Sequence, residues 1–236
     1  MYRASPTGSI RSATTGATTT LCWAAKGGSG TTVVTASLGL TAPRPVLLVD
    51  LAGDLPAALG IAEPHGPGVH DWLAAEADAS RLADLAVAVT EGVELVPAGS
   101  CRTGPDSPRW RDLAEALQRW ATPGGGLGGH LGTVLVDGGT GAPPEGLRRR
   151  LDRDLLVTRG CYLALRRAVT LDRRPAGVIV VEEPGRSLRP VDIETAIGSP
   201  VVAAVALDIS VFRAVDAGLL AARVPRVIER DLRGAA

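Results

Sequence analysis

Lysine is almost missing from this chain. Among 25 basic residues, Lys26 alone is a lysine and the others are arginines. Acidic residues also number 25, so the formal charge is zero and the pI is about 6.8. That balance excludes a generally basic nucleic-acid coat but leaves room for a local arginine patch. Aromatics make up 3% of the 236 residues, too few for a base-stacking platform. Cys22, Cys101 and Cys161 are odd in number and far apart. They form neither a CxxC pair nor a zinc spacing, and a reducing, cytoplasmic compartment is expected. No apolar run reaches the ~18–20 residues that span a bilayer. The stretch Met1 to Thr20 is rich in Ser, Thr, Ala and Gly and lacks the apolar centre of a signal peptide. Residues 1–18 read as a disordered tail ahead of one domain over 19–236.

The excess of Ala, Gly, Val, Arg and Pro fits GC-rich coding. Under that bias Arg replaces Lys wherever any positive charge suffices. A lysine that stays marks a place where a compact ammonium and a planar guanidinium differ.

Apolar runs alternate with helical patterns along the chain. Strands are expected at Leu21 to Ala25, Val46 to Asp50, Val93 to Val96, Thr133 to Asp137, Leu155 to Thr158, Gly177 to Val181 and Val201 to Leu207. Helices are expected at Thr31 to Leu40, Trp72 to Ala79, Arg81 to Ala88, Asp112 to Trp120, from Pro144 to Leu151, Tyr162 to Val169, Val191 to Ile197 and Val211 to Ala217. A last helix lies within Leu219 to Leu232, where Pro225 marks a start or a kink. Pro123 to Gly132 reads as a Gly-rich loop. Near-continuous Val/Leu/Ile strands between helices indicate an α/β fold: a mostly parallel twisted sheet with helices on both faces. Right-handed crossovers gather the strand C-terminal ends on one edge, where such sheets bind ligands. Lys26, Asp50 and Asp137 all follow such ends.

The strongest motif runs from Cys22 to Thr32, CWAAKGGSGTT, between a strand and a helix. Glycines let the backbone wrap with its N–H groups inward. The next helix adds its first N–H groups and its positive dipole end. Together these make a polyphosphate cradle, and a hydroxyl at Thr32 is placed to ligate Mg²⁺. The competing reading is a plain Gly-rich turn.

This string resembles the deviant Walker A motif, KGGxGK[ST], of the ParA/MinD family. The resemblance covers nearly the whole chain after the tail and implies a P-loop, three-layer α/β/α fold binding ATP and Mg²⁺. Lys26 matches the signature lysine that reaches across an ATP-sandwich homodimer. Gly27, Gly28, Ser29 and Gly30 match the cradle, and Thr32 the Mg²⁺ position. Ala25 replaces the first glycine. Thr31 replaces the second, phosphate-binding lysine, at a cost of roughly 1.5–3 kcal/mol, or about ten- to hundredfold in affinity.

VLLVDLAGDL, Val46 to Leu55, resembles the family's switch I strand, with Asp50 at the Mg²⁺- and water-organising carboxylate. Asp50 also reads as a helix cap or turn former. The second carboxylate of the family falls at Ala52; Asp54 is two residues on, out of register. TVLVDGG, Thr133 to Gly139, resembles a Walker B strand, and Asp137 would hold Mg²⁺ through water. Ala206-Leu207-Asp208 keeps the Asp of a turn beside the base. Glu182 and Glu183 stand where an Asn often reads that base.

The resemblance implies a nucleotide-linked dimeric switch for spatial organisation: DNA partitioning, septum placement, or positioning of a secretion or pilus machine. Hydrolysis is expected to be slow, with Lys26 and Asp50 as the catalytic candidates. The alternative is a degenerate, non-hydrolysing scaffold or regulator, favoured by Thr31 and Ala52.

Weaker signals get blander readings. His65 and His70 read as surface histidines rather than metal ligands. Arg148-Arg149-Arg150, Arg153 and Arg166-Arg167 offer nonspecific DNA contact, but Asp152 and Asp154 dilute their field and a solvated face is expected. The C-terminal Leu219 to Leu232 lacks aromatic anchors, so packing on the domain is expected over a membrane surface. The four tryptophans read as core or interface.

Overall fold

The computed structural model describes residues 18–75, 77–122 and 132–235. The expected tail, apart from Thr18, and residues 123–131 of the expected Gly-rich loop lie outside them.

Strand β1, Thr19–Ala24, is buried at every position, as a strand covered on both faces must be. It leads through the Gly-rich turn to helix α1, Thr31–Thr41. α1 lies tight on the sheet because Gly39 has no side chain: a Cβ there would come 2.6 Å from Leu48 Cδ2. Strand β2, Val46–Asp50, matches its expected bounds. Next come the short helices α2, Leu55–Leu59, and α3, Val69–Ala74, then a 3₁₀ segment, Ala79–Leu85.

Here two expectations are corrected. The helix read from Trp72 to Ala79 stops at Ala74, and the one from Arg81 to Ala88 is a 3₁₀ turn that gives way to strand β3, Val87–Thr90. β3 alternates half-buried and exposed residues, and Glu91-Gly92 turns it back antiparallel to β4, Val93–Val96. Alternation with β-branched residues and a two-residue glycine turn is hairpin chemistry. The pattern was present in the sequence, hidden by an Ala/Leu-rich lead-in that also suits a helix.

Helix α4, Arg109–Ala121, presents Leu113, Ala116, Leu117 and Trp120 inward as its periodicity required. Strand β5 is Thr133–Thr140; α5, expected to run from Pro144 to Leu151, holds only Glu145–Arg148. Then follow β6, Arg153–Arg159; α6, Tyr162–Ala168; β7, Gly177–Glu182; α7, Pro190–Ile197; β8, Val201–Ala206; and α8, Ile209–Asp216. The C-terminal helix α9 is short, Arg226–Asp231, with Pro225 at its N-cap. Ile228 and Leu232 are buried, so its apolar side is spent on the domain. No described helix is long and apolar enough to cross a membrane.

The eight strands form one sheet in the order β3-β4-β2-β5-β1-β6-β7-β8, parallel except for β3. One core layer packs α3 to α7 on the sheet; the other packs α1, α2, α8 and α9. This is the three-layer arrangement the sequence implied. All four tryptophans are buried in the first layer. β5 sits between β1 and β2, which sets Asp50 opposite Asp137 in register. Both acids therefore lie at the edge where β1 runs into the Gly-rich turn.

Arg148 departs from the solvated face expected of its arginine run. It is 4% exposed, its Nε donates to Asp154 Oδ2 at 2.6 Å, and its guanidinium lies 4.8 Å from the Trp23 ring centre. Arg149, Arg166 and Arg167 are exposed as expected.

Candidate functional site

The Gly-rich turn is shaped by its backbone. Gly28 and Gly30 have φ of 76° and 90°, values that a side chain makes costly. Ser29 is buried, and its hydroxyl donates to the Lys26 carbonyl at 2.7 Å, which closes the loop. α1 begins immediately after Gly30, with no side chain accepting from its first N–H groups and no acid in its first turn. Those N–H groups and the positive end of the helix are left for an anion.

They face a cavity of about 500 Å³ lined by residues 28–33, Leu51, Ala52, Asp54 and residues 138–140. Gly28, Ser29, Gly30, Thr31 and Thr32 all border it. Gly27 is exposed beside them. Lys26 is half-buried at the turn, and its ammonium is folded back onto the Gly27 carbonyl at 3.2 Å.

Asp137 is fully buried, next in the chain to Gly138, which lines the cavity. Its Oδ1 accepts from Gly139 N at 3.0 Å, whereas its buried Oδ2 has no partner. Burial pushes its carboxyl up to about 6; the Thr32 hydroxyl and the Gly139 N–H oppose this, and the charges of Asp50 and Asp54 add to it. An orphaned anionic oxygen beside a hydroxyl, next to an anion cradle, fits a hydrated divalent cation. Among the described residues no group of three or more His, Cys, Asp or Glu could hold a metal. Mg²⁺ commonly takes few protein ligands and fills its shell with phosphate and water.

Asp50 does different work. Its Oδ1 accepts from Ala52 N at 2.9 Å and Gly53 N at 2.7 Å, and its Oδ2 from Leu55 N at 3.0 Å. It ties the turn after β2 to the start of α2, the turn-forming alternative left open by the sequence. Burial raises its carboxyl, against those same N–H groups.

Asp54, expected to be out of register, lines the cavity. It is the residue before α2, and it is exposed there. The Asp-Leu-Pro string was a helix-start signal that could have placed it.

Asp208 lies beside a second, smaller cavity of about 100 Å³ that shares Gly30 and Val33 with the first. Its carboxylate caps α8 by accepting from Ser210 N at 2.7 Å. Glu183 is held by Arg159 at 2.6 Å and by Arg186 at 2.5 Å.

Two residues near the site escaped the sequence reading. His70, expected at the surface, is 4% exposed; its Nε2 lies 3.1 Å from the Leu51 carbonyl, and the Thr103 N–H lies 3.3 Å from its Nδ1. Arg102 donates from Nη2 to the Ala52 carbonyl at 3.3 Å. No local pattern marks either, because His70 in α3 and Arg102 in the loop after β4 meet the turn after β2 only in the fold. His65 is exposed as expected.

Solved structures share this fold. The fold matches a ParA family ATPase from Chlorobium tepidum TLS with a TM-score of 0.71 at 20% identity, over 93% of this chain and 99% of that one. It matches the Pyrococcus horikoshii OT3 septum site-determining protein MinD, complexed with Mg-ADP, at 0.67 and 20% identity over 92% and 98%. It matches the Aquifex aeolicus MinC:MinD cell division complex at 0.68 and 18% identity over 91% and 94%. No curated protein sequence matches the chain. The family model of cellulose biosynthesis protein BcsQ matches residues 19–170, which contain the Gly-rich turn, Asp50 and Asp137. The chain is thus a ParA/MinD-like P-loop protein and belongs to the BcsQ family.

Proposed function

We propose that this protein binds ATP with Mg²⁺ and acts as a nucleotide-dependent dimeric switch. The supporting observation is the cavity of about 500 Å³ bordered by the head of α1, whose first N–H groups have no side-chain acceptor, and by Gly138 and Gly139, which follow the buried Asp137 with its unpartnered Oδ2. The backbone of Gly27 to Thr31 takes the phosphates. The Thr32 hydroxyl and Asp137 hold the cation, and Asp50 keeps the loop beside it in shape. Mg²⁺ supplies charge neutralisation at the phosphate oxygens. Lys26 is half-exposed and, among the described residues, its ammonium has only the Gly27 carbonyl as partner, so it can turn to a second copy's phosphates. Asp208 lies on the side where the base would go.

Family membership directs this switch toward cellulose biosynthesis. The reading that joins it to the fold is positioning of a secretion machine, with a protein partner of that machine. Nonspecific DNA contact through the exposed arginines is secondary.

Titration with a fluorescent ATP analogue tests the core of this reading. Saturable, Mg²⁺-dependent binding that is weakened in Asp137→Ala is expected; absence of binding at millimolar ligand would refute it. Hydrolysis is slow in this reading, because Thr31 carries no charge and Ala52 no carboxylate. Those two residues favour the second reading, a non-hydrolysing scaffold. Phosphate release at saturating ATP separates them: a rate abolished by Lys26→Ala supports the switch, and no rate supports the scaffold.

A further inference from the structure

We infer that Arg102 binds the terminal phosphate of the nucleotide, supplying within the same chain the cation that Thr31 lacks. This rests on the nucleotide-binding reading above. In that reading Lys26 turns to a second copy's phosphates, so within one chain a triphosphate meets the Mg²⁺ and backbone N–H groups but no side-chain cation, unless another one reaches it.

Arg159 and Arg102 are the arginines that touch the walls of the two cavities in a way the structure defines. Arg159 lines the smaller one, but its guanidinium is committed to Glu183 at 2.6 Å. Arg102 has no carboxylate partner among the described residues. Among the described residues its guanidinium makes one hydrogen bond, the 3.3 Å contact to the Ala52 carbonyl, and a Cβ on Gly53 would lie 3.1 Å from its Nη2. Ala52 and Asp54 both line the phosphate cavity. The guanidinium therefore sits on the outer side of the turn that forms one cavity wall. A neutral carbonyl is a weak partner for a full charge, and a phosphate accepts two parallel N–H bonds from a guanidinium.

The loop that carries Arg102 is fixed on both sides. Asp71 accepts from Ser100 N at 3.0 Å, Ser100 Oγ at 2.9 Å and Cys101 N at 3.1 Å. Past Arg102, Thr103 N bonds His70, whose other ring nitrogen meets Leu51 in the same cavity wall. Ser100, Cys101 and Thr103, on the two sides of Arg102, are thus tied to α3, and α3 is tied to the turn after β2. A long side chain on an anchored backbone reaches a ligand with little loss of loop entropy. On binding, Arg102 exchanges the Ala52 carbonyl for oxygens of the terminal phosphate.

The test compares a fluorescent non-hydrolysable ATP analogue with its ADP counterpart, both with Mg²⁺, on the unchanged protein, Arg102→Ala and Arg102→Lys. Arg102→Ala is expected to weaken the triphosphate by about ten- to hundredfold while leaving the diphosphate unchanged. Arg102→Lys should recover part of that loss, because it restores charge without the fork. Circular dichroism should show both variants folded, since the side chain is exposed. Equal weakening of both nucleotides would mean that Arg102 only braces the turn, and would overturn the inference. So would unchanged triphosphate binding in Arg102→Ala. Failure of the unchanged protein to bind either nucleotide overturns the nucleotide reading itself and this inference with it.

Discussion

At the scale of single residues, charge and its absence shape the site. Thr31 lines the cavity at the head of α1, where a lysine would place its ammonium among the phosphates. Thr31→Lys is therefore expected to tighten the ATP analogue about ten- to hundredfold, read by the same fluorescence titration. No change would mean that the cradle does not hold phosphate at that point. Asp71 gives a pH dependence. The Cys101 thiol, the Gly68 N–H and Ser100 hold its carboxyl well below its ordinary value of 3.8. A depressed carboxylate stabilises the fold above its unfolded pKa and loses that contribution as pH falls toward its folded pKa. The loop around Arg102 should stay ordered through neutral pH and loosen only below about pH 4. Amide exchange at residues 100–103 measured across that range checks this, and Asp71→Asn should show the loosened behaviour at pH 7.

At the scale of elements, burial separates what packs from what binds. Strands β1, β2, β5 and β6 were legible because unbroken Val/Leu runs between turn signals suit little else. α5 was overestimated because its flanking residues carry a helical pattern that ends at Arg149, whereas the last helix starts at Pro225, one of the two roles the sequence left open for it, and not at Leu219. β3 was missed because its Ala/Leu-rich lead-in suits a helix as well, although its alternation and the Glu91-Gly92 turn were present in the sequence. The Arg148–Asp154 pair, 4% and 5% exposed at the side chains, ties α5 to β6 beneath Trp23. Arg148→Met would leave Asp154 buried without its cation, at a cost of about 3–5 kcal/mol, read by urea unfolding. The double variant Arg148→Met with Asp154→Leu should recover much of that loss. If the single variant loses under about 0.5 kcal/mol, the value expected of an unremarkable surface change, the pair contributes nothing to the fold.

At the scale of the whole molecule, the proposed switch is a change of mass. With the ATP analogue and Mg²⁺, light scattering should report a shift from monomer toward dimer, and Lys26→Ala should remain monomeric while still binding nucleotide. A dimer that forms equally without nucleotide would remove the role assigned to Lys26. Nucleotide should also raise the melting temperature with concentration, because a ligand that binds only the folded chain stabilises it by mass action.

The sequence by itself determined the parts that depend on neighbours along the chain: the glycine turn after β1, the lone lysine in it, the acid that ends β2 and the acid within β5, and the alternation that makes a parallel sheet. Each needs only a few consecutive residues, and local backbone preference and apolar patterning encode those directly. Only the tertiary structure decided that Asp50 is held by the turn it forms and that Asp137 keeps a bare oxygen. It alone placed Asp54 in the cavity wall and Arg102 behind it. These outcomes turn on burial and on contacts between residues far apart in sequence, such as Arg102 with Ala52. The lone lysine remains the chain's most telling residue, but the fold sets an arginine from another loop beside the same cavity.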